Sequence, residues 1–324
     1  MGAIPFSSQN VANHKYWYER SWYTAGPIPS VPAGVLPIAG AQLPENKDKL
    51  MILSALESGQ SPYVQVGWQY DRNQANQGGN SGYTDAARAG VRYMSVSAPA
   101  LTTLNLTMQN VTGASVTNFQ LNYAVAVQQL TVADKLLREL PLTDQDKRVL
   151  DALPGGLKDL SALVEKGILP HPIEVQMENM FLSHRLGDHP QSGMYHVNVG
   201  SNTTGVNWLS IHATTGEWLA LEELAIEGAP AVNVYVDRDD NTNYAAVTGA
   251  AFASSDDRPW DFFVPALRYI NLRADASSTI NGVPIRVRVG RYRMSNVLRV
   301  RFGLATQPSD VPGDTWAKVL AGLA

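Results

Sequence analysis

The side chains with the most chemistry to offer are nine arginines in one short stretch: Arg258, Arg268, Arg273, Arg286, Arg288, Arg291, Arg293, Arg299 and Arg301. Only Asp261 and Asp275 oppose them there, so residues 258–301 carry +7 while the whole chain carries −4. In VPIRVRV and NVLRVRF the arginines alternate with Ile285, Val287, Val289, Val300 and Phe302. In a strand, a period of two puts such guanidinium groups on one face. Like charges side by side repel, so this face calls for anionic company. A guanidinium fork suits phosphate, nucleic acid or an acidic glycan. Acidic residues such as Glu217, Glu222, Glu223 and Glu227, across a subunit or domain interface, would answer it equally well. The interface reading takes precedence, with Arg268 to Arg301 as its residues and nucleic acid or another anion as a further possible partner.

Other clusters carry less. His171, His184, Asp188, His189 and His196 bring nitrogen and oxygen ligands within 26 residues, as zinc or manganese would need. Their spacing matches no H-E-x-x-H helix, and His184 and His189 would not share a helical face. They read as loop and cap histidines, and no metal or other cofactor is assigned. Asp237, Asp239, Asn241 and Asn243 place an oxygen at every second residue. A calcium loop counted from Asp237 needs glycine at its sixth position and glutamate at its twelfth, where Thr242 and Thr248 stand. A polar hairpin tip explains the run. No G-x-S-x-G elbow or phosphate-cradling G-x-x-x-x-G-K-[ST] occurs, so no enzyme activity is expected.

The frame for these residues is a chain of 324 with 44% hydrophobic and 17% charged residues, too apolar for disorder. Its 26 Gly, 19 Pro and 13 Tyr suit β architecture more than helical bundles. Zero cysteines exclude disulfides, thiolate metal sites and cysteine nucleophiles. No apolar run reaches a membrane span of about 18 residues. The first residues lack the basic and apolar regions of a secretory signal, so synthesis in a cytoplasm is expected.

Five segments are expected. Residues 1–50 hold Tyr16, Trp17, Tyr18, Trp22 and Tyr23, followed by five prolines. That spacing argues against a long helix or a central strand and predicts an extended arm, anchored by those aromatics on its own domain or a neighbour. Residues 51–130 alternate apolar and polar residues as half-buried strands do. Residues 131–187 shift to helical periodicity, with Thr131–Asp134 and Thr143–Asp146 as capping boxes and Pro172 opening a last helix. Strands resume over 188–308, including NVLRVRF. Residues 309–324 form a tail helix with Asp314 as N-cap and Trp316, Val319, Leu320 and Leu323 on one face. Short strands between turn signals predict a mainly β, jelly-roll-like sandwich, one or two, with a short-helix insertion.

Arm, β-rich body, arginine face and amphipathic tail together resemble viral coat and other virion structural proteins of jelly-roll type. The resemblance is one of layout. It implies a capsid subunit that packs against copies of itself and other virion proteins, located in the virion and without catalytic chemistry. This chain lacks the basic N-terminal arm of many such proteins. A different reading is a carbohydrate- or receptor-binding β-sandwich of a tail or adhesin, using Trp22, Trp68 or Trp260.

Overall fold

A computed structural model of the chain describes residues 19–31, 34–37, 49–57, 64–70, 93–100, 104–110, 116–137, 139–165, 184–201, 206–228, 231–249 and 259–323. Tyr16, Trp17, Tyr18, His171, the side chain of Trp68 and most of the helix expected from Pro172 lie outside the described residues.

The first seven strands are β1 (Glu19–Val31), β2 (Gly34–Pro37), β3 (Lys49–Glu57), β4 (Val64–Tyr70), β5 (Tyr93–Ala100), β6 (Leu104–Asn110) and β7 (Val116–Gln129). Their antiparallel pairs nest: β3 with β5, β2 with β6, β1 with β7, and β4 beside β6. A long hairpin of nested pairs, once rolled up, must divide alternate pairs between two sheets. The observed orders are β5-β3-β7-β1 and β2-β6-β4.

After the short β8 (Arg185–Asp188), eight strands repeat the plan: β9 (Gly193–Val199), β10 (Val206–His212), β11 (Glu217–Ile226), β12 (Val232–Arg238), β13 (Asn241–Thr248), β14 (Trp260–Ala266), β15 (Tyr269–Ala276) and β16 (Ile280–Arg293). Here β12 pairs with β13, β11 with β14, β10 with β15 and β9 with β16. The sheets are β9-β16-β11-β14, with the short β8 also paired to β16, and β10-β15-β12-β13. This is the eight-stranded jelly roll, two facing antiparallel sheets with Greek-key connections. The protein is therefore mainly β, built as two consecutive rolls of the same strand plan.

The rolls join edge to edge. Arg20 of β1 stands opposite Phe263 of β14, which makes one nine-stranded sheet across both. Between this sheet and β10-β15-β12-β13 lies a core that includes Trp22, Leu219, Leu221, Trp260, Phe262, Val264, Ile270, Leu272, Ile285 and Val287. Each such side chain, fully buried, contributes about 1.5–3 kcal/mol.

Two expectations change here. β1 is a central strand of thirteen residues, between β7 and β14, although it contains Pro27 and Pro29. The ladder to β7 slips between Ala25 and Ile28, and such a bulge accommodates a residue with no N–H to give. Residues 19–31 are thus part of the body, not of an arm. Likewise Leu121–Ala126 of β7 are buried on every residue rather than on alternate ones, as in strands covered on both faces.

The helices form a second compact unit, made from residues 129–186 and 292–324. They are α1 (Val132–Leu137), α2 (Asp144–Ala152), α3 (Gly156–Glu165), α4 (Asn296–Arg301) and α5 (Thr315–Ala321). Thr143 and Asp146 form the expected capping box, and Thr131 and Asp134 exchange the same bonds. Asp146 also takes a hydrogen bond from buried Lys135 at 2.7 Å. Val149, Leu150 and Leu160 pack with Val300, Trp316, Ala317 and Val319 in one core, so the helical segment and the C-terminal tail share a hydrophobic centre. NVLRVR is α4 rather than a strand. Ser295 caps it by accepting from the Leu298 N–H at 3.3 Å, and over six residues an alternating pattern also fits a helix that buries Leu298 and Val300.

Candidate interaction surfaces

At least four of the arginines are answered within the chain. Arg273 grips Asp237 with both nitrogens of its fork, Nε to Oδ2 at 2.6 Å and Nη2 to Oδ1 at 2.8 Å. That bond holds the Arg273 pKa above its ordinary value. Arg291 holds Glu217 in the same two-pronged way, at 3.1 and 3.0 Å. Hydrogen bonds from Arg291 and then Thr214 keep the Glu217 carboxyl below the usual range. Arg288 lies 3.2 Å from Glu222 and also pairs with Glu223, and Arg268 pairs with Asp240.

The single arginine face expected from the alternation is therefore divided. Arg286 and Arg288 share one face of β16 by strict alternation, and Arg291 and Arg293 the other. Arg299 and Arg301 are on α4, Arg273 is on β15 of the far sheet, and Arg268 lies in the turn between β14 and β15. The anions that repulsion requires include Glu217, Glu222 and Glu223, all on β11, a strand that neighbours β16.

The hairpin tip between β12 and β13 spends its oxygens internally. Asp237 accepts the Asn243 N–H at 2.7 Å as well as the Arg273 fork. The Asp239 carboxylate accepts the backbone N–H groups of Leu267, Arg268 and Tyr269 at 3.0, 2.7 and 3.3 Å. The Asp237 and Asp239 oxygens are thus already engaged by a guanidinium and by backbone N–H groups.

Among the described residues no group of three or more His, Asp or Glu could hold a metal ion. His189 accepts the Gln191 N–H at Nδ1, 3.2 Å away. Burial, and then the nearby Arg291, lower its pKa. His196 is exposed on β9. His184 and Asp188 flank and end β8.

Of the expected aromatic anchors, the described residues place Trp22 in the core and leave Tyr23 half-buried. Trp22 is 2% exposed and its Nε1 donates to the Asp261 carbonyl at 2.8 Å, across the join of the rolls. Tyr23 stacks on Tyr123 with centroids 5.4 Å apart. Burial, followed by the Glu19 charge, pushes the Tyr23 pKa up to about 12. Trp260 is also 2% exposed. Neither Trp22 nor Trp260 can offer a ring face to a sugar.

Sequence reasoning missed two arrangements. At the join, Glu19 of β1 lies 3.3 Å from Arg238 of β12. The Arg238 guanidinium sits 3.7 Å over the Tyr244 ring and donates to the Pro265 carbonyl at 3.0 Å. Burial raises the Glu19 pKa, opposed by Arg238 and Lys49. Asn122 of β7 completes the join by donating to the Thr248 carbonyl and accepting its N–H, both at 3.2 Å. Arg238 stands outside the dense 258–301 stretch, so composition did not mark it.

The second arrangement is the outer face of β10-β15-β12-β13. There the Tyr235 hydroxyl donates to Asp275 at 3.0 Å, Asn233 donates to the same carboxylate at 2.9 Å, and Ser210 donates to Asn271 at 2.6 Å. The His212 and Tyr269 rings lie 5.9 Å apart. Burial, then Asp275, push the Tyr235 pKa up to about 12. The signal was available: in YINLRADA the positions alternate with buried Ile270, Leu272 and Ala274.

No protein-family model and no curated protein matches the chain. Among solved structures it aligns with tandem CBM51 modules of the family 98 glycoside hydrolase of Streptococcus pneumoniae, at 9% identity and TM-score 0.20, over 82% of this chain and 83% of that one. It aligns with Streptomyces albus HEPD holding 2-hydroxyethylphosphonate and Fe(II) at 11% identity and TM-score 0.20, over 93% and 74%. The CBM22 tandem of Paenibacillus barcinonensis Xyn10C gives 9% and 0.16, over 85% and 94%. Scores this low carry no functional inference. The chain's own strand order and surfaces must supply it.

Proposed function

We propose that this chain is a virion structural protein, a capsid subunit that packs against copies of itself. The observation that supports the reading is the tandem of nested-hairpin rolls fused into one nine-stranded sheet. Jelly rolls serve as capsid domains, lectins and cupins. A barrel that binds a ligand inside must leave a cavity between its sheets. Here the inward positions of the second roll are filled by Leu, Val, Ile, Phe and Trp, which leaves surfaces and edges as the places where this body can act. No catalytic step is proposed. Synthesis in a host cytoplasm and residence in the virion follow from the same reading.

Size-exclusion chromatography with light scattering, followed by negative-stain imaging of purified protein, tests it. Multimers or particles are expected. A monodisperse species with the mass of one chain at every concentration would count decisively against it.

One observation favours a second reading. The outer face of β10-β15-β12-β13 presents Tyr235, Tyr269, His212, Asn271 and Asp275 together, a mixture of rings and hydrogen-bonding groups suited to a sugar or a receptor loop. A glycan array that shows binding, lost in Tyr269→Ala, supports it, and an array without any binding retires it.

A further inference from the structure

Among the described residues the nine-stranded sheet ends in β5 on one side and, beyond β16, in β9 with the short β8 on the other. Their places in the two rolls are those of the strands that already meet. β1 opens the first roll and β9 the second. β5 is the partner of the third strand in the first roll, as β14 is the partner of β11 in the second. Within the chain, an opening strand, β1, lies antiparallel to β14.

The backbone of β9 is presented for pairing. The Pro284 carbonyl accepts from Glu227, on the β11 side of β16. The ladder from β16 to β9 therefore runs through Val283, Ile285 and Val287, opposite Val197, Tyr195 and Gly193. The N–H and C=O groups of Met194, His196 and Asn198 then point away from the sheet.

Neither β9 nor β5 carries charge along its length, although β5 has Pro99 near its end. Edge strands are normally blunted by charge, above all by lysine. β9, GMYHVNV, and β5, YMSVSAPA, contain no Asp, Glu, Lys or Arg. Beside β9 the apolar surface is open, with Met194 45% exposed and Val206, at the start of β10, 56% exposed.

We propose that β9 of one copy pairs antiparallel with β5 of the next, repeating between chains the joint that β1 and β14 make within one. The contact is head-to-tail, so successive copies close into a ring or grow as a filament, according to the rotation at each joint. This rests on the self-assembly reading above and names the two surfaces that carry it.

The absence of native cysteine makes a clean test. Met194→Cys and Ser97→Cys are prepared as separate full-length variants, mixed and oxidised, and dimers are read on a non-reducing gel. Cross-linking is expected in the mixture and in neither variant alone. His196→Pro, which removes an outward N–H and leaves the ladder to β16 intact, is expected to abolish assembly while circular dichroism and thermal midpoint stay unchanged. Assembly without cross-linking in the mixture overturns this joint and leaves the capsid reading standing. Cross-linking by Met194→Cys alone also overturns it, in favour of a two-fold edge. So does a link from Met194→Cys to a cysteine placed within residues 1–18 of the same chain. A wild-type protein that stays monomeric overturns the capsid reading itself, and this joint with it.

Discussion

The two rolls share a strand plan and differ in what holds them together. In the second, inward positions form one apolar core and the ion pairs Arg273–Asp237 and Arg291–Glu217 sit outside it. In the first, polar groups lie inside: Glu19, Arg20, Ser54 and Asn122 are all buried. Two of these, Glu19 and Asn122, have their partners in the other roll. The second roll pairs most of its charges within itself, whereas the buried Glu19 and Asn122 of the first find their partners across the join, where Arg238 and Thr248 of the second depend on them in turn. One consequence is that each roll should lose stability when separated from the other, since the cut leaves Glu19 and Asn122 on one side and Arg238 and Thr248 on the other without these partners.

The largest expected effect tests the apolar side of this contrast. Phe262→Ala should cost about 3–5 kcal/mol in chemical denaturation, the usual loss for a buried aromatic. A loss under about 1 kcal/mol would mean that the second core is not what stabilises that roll. Next comes the join. Asn122→Ala strips the buried Thr248 N–H and C=O of their partner and should cost about 2 kcal/mol. Differential scanning calorimetry should also show the transition splitting as the rolls uncouple. Trp22→Phe keeps most of the ring volume and removes the bond to Asp261, for a loss of about 1 kcal/mol.

The smallest effects concern pH, and their signs oppose. Glu19 has a raised pKa in the fold, so its contribution is fully present below its ordinary value of about 4.5 and is lost as pH rises through the folded value. Glu217 has a lowered pKa, so its contribution is present above that ordinary value and is lost as pH falls through the folded one. Melting curves of Glu19→Gln and Glu217→Gln against pH should remove opposite slopes. Equal slopes for the two variants would erase the distinction between the rolls.

Much of the fold was legible as pattern. Period two in YINLRADA and NVYVDR gave the half-exposed sheet its strands, and Thr143 with Asp146 announced α2. Pairing order was not legible, because a nested hairpin is defined by contacts between strands far apart in sequence. β1 was misread for a related reason: Pro27 and Pro29 argue against a central strand unless a bulge absorbs them, and a bulge belongs to the register with β7. For NVLRVR, the outnumbered signal was Ser295, a single cap residue against an alternating run. The arginine cluster was real as composition but not as a surface. Period two fixes a face only relative to one strand, and these residues are spread over β15, β16, α4 and a turn.

The Trp22–Asp261 bond joins residues 239 apart in sequence. During synthesis the amino-terminal roll leaves the ribosome long before residue 261 has been made, with its β1 edge bare. Loop-closure entropy makes so distant a contact late to form, so the nascent chain must pass through a stage in which its own first roll exposes a pairing edge to every other copy nearby. Domain exchange, in which one chain's β14 caps another chain's β1, is the misassembly this order invites. Slow translation between residues 130 and 260 would lengthen the exposure.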